Sequence, residues 1–455
     1  MAQSKVAVTA GRWQAVGGRE GGTVTSLAMS PDFPRDGIVF AGTLAGLHRS
    51  TDGGKSWAGS GSGLRSPFIE AVAVSPAFAR DHAVIAGARN AGLWMTVDGG
   101  DSWFELQVWG NRLSVTAAAF SPDYASDSTL LVGTEGAGLF RSANKGKTWT
   151  PVNFGILDLT IVGIAFSPDF ATDQTVFAAT PTGVYRSPNG GKAWRDSSEG
   201  LEGMAVQCIA ISPNFKEDRL VLVGTEEHGI LRASRRGDDW ESTGKGLTDQ
   251  CVTSIAFSPN FGEDKTVIAG TSSGIFVSTD AARTWRAAEG DIAGVLAVCL
   301  SGSSVAIAGC ANDGTYAARG DLLHWEPAST GLMARLLVQM VASPDFANDQ
   351  TLFSASLDDG VARSRDGGKT WEPINQGLEA VQVPAIAISP GFAGDRTLYA
   401  AASDGVYRST TGSLSWQKLV DGLTVRSVVA LTIAPLEQSY QVMVATLGGQ
   451  VWKLI

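Results

Sequence analysis

The 455-residue sequence predicts an all-β fold, a single β-propeller of about ten four-stranded blades. Three observations carry that reading. A nine-residue box recurs: "RSTDGGKSW" ends at Trp57, "MTVDGGDSW" at Trp103, "RSANKGKTW" at Trp149, "RSPNGGKAW" at Trp194 and "RSRDGGKTW" at Trp371, with weaker echoes at Trp285 and Trp416. The tryptophans at 13, 57, 103, 149, 194, 240, 285, 325, 371 and 416 stand 44, 46, 46, 45, 46, 45, 40, 46 and 45 residues apart, and such a period marks a repeat architecture. Glycine, at 55 residues, is about 12% of the chain against an average near 7%, while charged residues make only 18%. Turn-rich and charge-poor suits many short buried strands.

Within each repeat the elements follow in fixed order. First comes an apolar run ending in Ser-Pro, as in "VTSLAMSP", "VTAAAFSP" and "VTSIAFSP". It is apolar at nearly every position, as a strand covered on both faces must be. A second run follows ("IVFAGT", "TLLVGT", "TVIAGT"), then a short third ("GLHRS", "GLFRS", "GVYRS") leading into the box. The tryptophan opens a fourth, more polar strand. Runs of four to eight residues rich in Val, Ile, Phe and Thr, bounded by Gly, Pro and Asp, read as strands. Four of them per repeat is the grain of a propeller blade. Ten sets of first-to-third strands start near residues 24, 69, 114, 160, 205, 251, 295, 337, 382 and 427. The count closes if "RWQAVGG", around Trp13, supplies the fourth strand of a last blade built from residues 425–455. The expectation is therefore one domain over residues 1–455, its ends paired so that no sheet edge stays open. Two five-bladed rings would need a break near Trp240, where the spacing stays regular.

The pattern Ser/Thr-x-Asp/Asn-x-Gly-x-Ser/Thr-Trp resembles the Asp-box (BNR) repeat. Its expected chemistry is local. Asp52 accepts backbone N–H groups of its own turn, Gly54 supplies a positive φ, Ser50 and Ser56 tie the ends, and Trp57 packs on the blade. The corresponding residues are Thr96, Asp98, Gly100 and Trp103; Asn144 and Trp149; Asn189 and Trp194; Asp280 and Trp285; Ser364, Asp366, Gly368 and Trp371. These are read as structural, since an active site is rarely duplicated seven times. "SPDFPRD" and its echoes place Asp36, Asp81, Asp127, Asp173, Asp218, Asp264, Asp349 and Asp395 three residues after an aromatic, as turn-closing carboxylates. Arg49, Arg141 and Arg363 recur before the boxes and suggest rim ion pairs. A recurrent Gly-Leu between blades (63–64, 200–201, 246–247, 331–332, 377–378, 422–423) reads as an apolar plug.

The net charge is −10 and no Lys/Arg run exists, which argues against binding to nucleic acid through its phosphates. Cysteines 208, 251, 299 and 310 lie in or beside apolar runs without zinc spacing. They are expected to be free thiols in a reducing compartment, with no metal or cofactor. The start "MAQSKVAVTAGRW" has no signal-peptide apolar region, and no run approaches the ~20 apolar residues of a membrane span. A cytoplasmic monomer is expected.

Propeller connectivity sorts the loops. First-to-second and third-to-fourth connections share one face, which carries the repeated motifs. Second-to-third and blade-to-blade connections share the other, where the sequence diverges and a rigid scaffold can host a site. Acid gathers there at Glu135, Glu226, Glu227, Asp313, Asp358, Asp359 and Asp404, with His228 beside two of them. Phe68, Trp109, Arg112, Phe154, Met333 and Arg335 lie in the longer loops. The candidate binding set is Glu226, Glu227, His228, Asp358, Asp359, Asp404, Trp109, Phe68, Arg112 and Arg335, and the partner a protein or peptide.

The resemblance implies several functions. Sialidases of this type need three arginines and a Tyr–Glu pair, and the inner strands here carry no arginine. Xyloglucan-degrading glycosidases use two seven-bladed propellers, and this chain cannot supply fourteen blades. Sortilin-type receptors bind peptide in a wide tunnel, and photosystem II assembly factors share the box wording without catalytic residues. The expected function is a non-catalytic binding or scaffold propeller. The alternative is a glycoside hydrolase or lyase using carboxylates of the divergent face.

Overall fold

The computed structural model describes residues 20–454 apart from 109–112, 236, 331, 413–414, 420–427, 436–439 and 447–450. The strand around Trp13, expected to complete the last blade, lies outside the described residues.

The chain is all-β and built from ten propeller blades. Among the described residues, nine are four-stranded antiparallel meanders and the tenth has three strands. The blades cover residues 24–59, 69–106, 115–151, 163–196, 206–242, 252–287, 295–327, 337–373, 385–419 and 428–453. Every second strand but that of blade ten is buried along almost its whole length (Val39–Thr43 is typical), which is why those runs read as continuously apolar.

The turn after each first strand is built by the Ser-Pro motif. Ser30 Oγ donates to Asp36 Oδ2 at 2.6 Å, and the Ile38 N–H donates to Asp36 Oδ1 at 2.9 Å. They clasp a one-turn helix, Phe33–Asp36, whose Phe33 is buried. The same clasp joins Ser75 to Asp81, Ser121 to Asp127, Ser258 to Asp264 and Ser389 to Asp395. These carboxylates close turns.

The described residues form two compact units, Glu20–Arg335 with blades one to seven and Leu336–Ile455 with blades eight to ten. In the first unit, each blade meets the next through repeated contacts. Thr116 Oγ1 donates to the Ile161 carbonyl one blade on at 2.6 Å, and Thr253 does the same to Val295. In blade five Gln207 stands at that threonine's register, and the next residue, Cys208, reaches its Sγ toward the Val252 carbonyl at 3.9 Å. Trp194, Trp240 and Trp285 each donate Nε1–H back to the preceding blade, at Val152, Ser197 and Thr243. Arg49 and Arg141 reach forward to box carbonyls Gly99 and Gly190 of a neighbouring blade.

Between blade seven and blade one the same contacts appear across almost the whole unit. Trp57 Nε1–H donates to the Ala328 carbonyl at 2.8 Å, and its backbone N–H to Thr330 at 2.8 Å. Arg319 grips the carbonyl of Gly53 at 2.9 Å. Gly309 lies so close to Val24 that a Cβ would sit 2.4 Å from its Cγ1. The first strand of blade one, Val24–Met29, packs against that of blade seven, Val295–Ser301. Seven blades therefore close on themselves as a ring. The sequence reading expected a closure between the chain ends, which involves residues outside those described; the repeat count is right, and these contacts join blade seven to blade one within Glu20–Arg335.

The second unit stacks blades eight, nine and ten. One core cluster joins Phe353, Val361 and Ile374 to Ile386, Phe392 and Trp416. Another joins Tyr399 and Val406 to Val428, Leu431 and Val444.

Candidate functional site

The repeated charges resolve first. In the first box, Ser50 Oγ donates to Asp52 Oδ1 at 2.8 Å and accepts the Gly54 N–H at 2.9 Å. Asp52 Oδ1 accepts the N–H groups of Lys55 and Ser56 at 3.0 Å, and Oδ2 accepts Ser56 Oγ–H at 2.6 Å. The arrangement recurs around Asp98, Asp280 and Asp366. Asn144 and Asn189 keep the acceptor role without the charge. Every carboxylate of this kind is occupied by its own turn, and among the described residues no group of three or more His, Cys, Asp or Glu is placed to hold a metal.

These bonds shift the acids. At Asp52 desolvation opposes ionisation, but the hydrogen bonds from Ser56, Ser50 and Lys55 outweigh it and hold the carboxyl at about 2. At Asp98 and Asp366 the side-chain bonds from Ser102 and Thr370 lead, and both carboxyls lie well below the usual range. A depressed folded-state pKa means stability that is complete above the unfolded value near 4 and lost as pH falls toward 2. Asp52→Ala is expected to cost about 1 kcal/mol at pH 7. That cost should shrink toward zero near pH 2, as read by denaturant unfolding at the two pH values.

The recurrent arginines serve both the inter-blade joints and the expected ion pairs: Arg49 meets Asp101 at 2.9 Å and Arg363 meets Glu372 at 2.7 Å. His48 is buried beneath the backbone of Met333, and burial lowers its pKa to about 4, so it is neutral in the core. His324 is exposed between Asp321 and Glu289.

The predicted binding residues divide between the two units. Glu226, Glu227 and His228 form an exposed turn between Val221–Thr225 and Ile230–Ala233 of blade five, held by the His228 N–H on Thr225 Oγ1 at 3.0 Å. Phe68 is exposed at the entry to blade two. Arg335 is a structural tie, donating to the carbonyls of Glu20 and Asn312 beside the short parallel pair Gly21–Gly22 with Met333–Ala334. In the second unit Asp358 is buried and accepts the Leu336 N–H at 3.1 Å. Asp359 is half-buried, its carbonyl taking Asn375 Nδ2–H at 3.0 Å. Asp404 accepts Tyr407 Oη–H at 2.7 Å and the ammonium of Lys418. Trp109 and Arg112 lie outside the described residues.

The structure adds a cleft that sequence reasoning missed. A cavity of about 760 Å³ is lined by Leu157, Asp158, Tyr185, Asp196, Glu199, Glu202 and Asp238, among others. Five carboxylates thus converge from three loops without a lysine or arginine in the lining. Asp158 is oriented by Thr182 Oγ1–H at 2.9 Å and the Thr160 N–H at 3.0 Å, and Asp196 by the Ser198 N–H at 3.0 Å. Phe154 and Leu157 stand exposed in the same loop. The acids at 196, 199 and 202 were visible in the sequence, but only folding sets them against Asp158 and Asp238.

No family model and no curated protein matches the chain. Among solved structures it is similar to the GH74 enzyme of Niastella koreensis, with a TM-score of 0.71 and 16% identity over 96% of this chain and 73% of that one. It is also similar to the GH74 xyloglucanase of Xanthomonas campestris, with a TM-score of 0.62 and 16% identity over 97% and 86% of the two chains. At that identity the likeness is one of fold. No helix among the described residues is long and apolar enough to cross a membrane.

Proposed function

We propose that this chain is a non-catalytic binding propeller that docks a cationic or mixed-charge polypeptide on its non-repeated face. The observation that carries the reading is how the acids are used. The repeated carboxylates are occupied in turns, whereas Glu226 and Glu227 stand exposed on a loop the repeat leaves free. On a chain of net charge −10, such groups act on capture rate and salt dependence more than on fold. A basic peptide library displayed against the protein identifies the ligand. Glu226→Lys with Glu227→Lys should then slow association about tenfold at low salt and flatten its salt dependence. Unchanged association kinetics would remove this face from consideration.

The fold likeness and the acidic cleft favour a second reading, glycoside hydrolysis. Such chemistry needs two carboxylates about 5–10 Å apart, and the loops around Asp158, Glu199 and Asp238 are where a pair could act. Reducing-sugar release from xyloglucan and other polysaccharides tests it. Turnover abolished by Asp158→Asn or Glu199→Gln, with binding retained, would establish this reading over the first.

A further inference from the structure

Among the described residues, the three-blade unit leaves two blade-packing faces uncovered. The residues of blade nine that receive blade eight include Val383, Ile386, Phe392 and Trp416, all buried. Strand register identifies their counterparts in blade eight. Met340 pairs with Ser354 as Ile386 pairs with Ala400, and Leu352 pairs with Ser364 as Leu398 pairs with Ser409. Those counterparts are uncovered. Met340 is 60% exposed where Ile386 is 0%, and Leu337 is 40% exposed where Val383 is 0%. Phe346 is only half-buried, while the aromatic at its position is buried in all seven other blades that carry the one-turn helix. Trp371 is half-buried too, where the corresponding Trp57, Trp103, Trp149, Trp194, Trp240, Trp285 and Trp416 are buried.

At the other end, blade nine meets blade ten through Ala385, Tyr399, Ala401 and Val406. The equivalent positions of blade ten are Ala430, Met443, Ala445 and Val451, by the pairings Ala401 with Val406 and Ala445 with Val451. Val451 is 72% exposed where Val406 is 4%, and Ala430 is exposed where Ala385 is buried. Because blades stack head to tail, these two faces are of opposite kind. Each is the complement that the other uses inside the unit.

We propose that the occupant of both faces is a second copy of this chain, blade ten of each copy docking on blade eight of the other. Two three-blade arcs joined at two equivalent junctions close a six-bladed ring, within the usual range of four to eight. The junctions are related by a two-fold axis, so the assembly is closed and stops at two copies. The aliphatic side chains match in character the ones they replace, Met340 for Ile386 and Val451 for Val406, so the junction repeats an interface the chain already makes twice.

Sedimentation of the full chain at tens of micromolar should give twice the 47.4 kDa chain mass. Met340→Asp and Val451→Asp should each give monomers, since either change spoils both junctions of a homodimer. Both positions are exposed in the single chain, so the sheet circular-dichroism signal should be unchanged; Leu337→Lys and Ala430→Lys form a second pair if either aspartate variant misfolds. Mixing the Met340→Asp and Val451→Asp proteins should restore dimers, because one junction then has two intact faces. A wild-type monomer at these concentrations, failure of the mixture to associate, or an open-ended polymer would each overturn the proposal.

Discussion

Trp57→Ala should lower the stability of the Glu20–Arg335 unit by about 3–5 kcal/mol, the loss typical of emptying a buried aromatic site. Trp57 is buried among Val24, Ile307, Ala317, Ala328 and Leu332, residues from the two ends of the seven-blade series. It also supplies two hydrogen bonds to blade seven. Losing it creates a cavity at the joint that holds the ring shut and removes the Nε1–H bond, while the Ala328 carbonyl keeps Thr315 Oγ1–H and the backbone bond to Thr330 remains. Trp371 provides the comparison, being half-buried and bonded only within its own box. Its replacement by alanine should cost roughly half as much, in proportion to the apolar area it removes from water. Urea unfolding followed by tryptophan fluorescence and by circular dichroism measures both. Equal losses for the two variants would mean that Trp57 closes nothing.

Gly246→Ala is expected to cost about 2–4 kcal/mol, combining left-handed backbone strain of ~1–2 kcal/mol with a clash. Gly246 has φ +89°, and a Cβ there would lie 2.2 Å from the Trp285 carbonyl oxygen. That oxygen belongs to backbone at the start of the next blade's fourth strand and has no room to retreat. Gly394→Ala is the control, with open space around the added methyl and no positive φ. It should fall within ~0.5 kcal/mol of the parent. A thermal-melt series of the two variants decides the point.

Much of this was legible in the chain because the signals are local. A turn that binds its own carboxylate needs fixed residue types at fixed spacing, so Asp52 and Asp36 announce their bonds in any blade. The Gly-Leu pairs were read for their leucine. The structure shows that the glycine is the constrained member, since it faces the next tryptophan's backbone. Ring closure was illegible for the opposite reason. Val24 presents to Gly309 the kind of surface that Val252 presents to Gly224, so no residue names its neighbour. Blade seven, with its 40-residue spacing and no box, is the blade that meets blade one. The candidate site suffered likewise. Asp358 and Asp404 read as surface acid, yet one is buried against Leu336 and the other is engaged by Tyr407 and Lys418. Asp158 drew no notice, because convergence of loops from successive blades is a tertiary fact.

The thiol at the inner joint of blade five, where blades one and six carry Ser26 and Ser254, has a chemical consequence. Desolvation pushes Cys208 up to about 12, and Cys299, on the inner strand of blade seven, equally so. The nucleophilic form of a cysteine is its thiolate. In the closed protein both sulfurs are therefore held as thiols at neutral pH and, although part-exposed, should alkylate more slowly than a free cysteine. Parting of a blade from its neighbours should raise that rate, so the chain carries two built-in reporters of transient opening, one of them on the blade that completes the seven-membered ring.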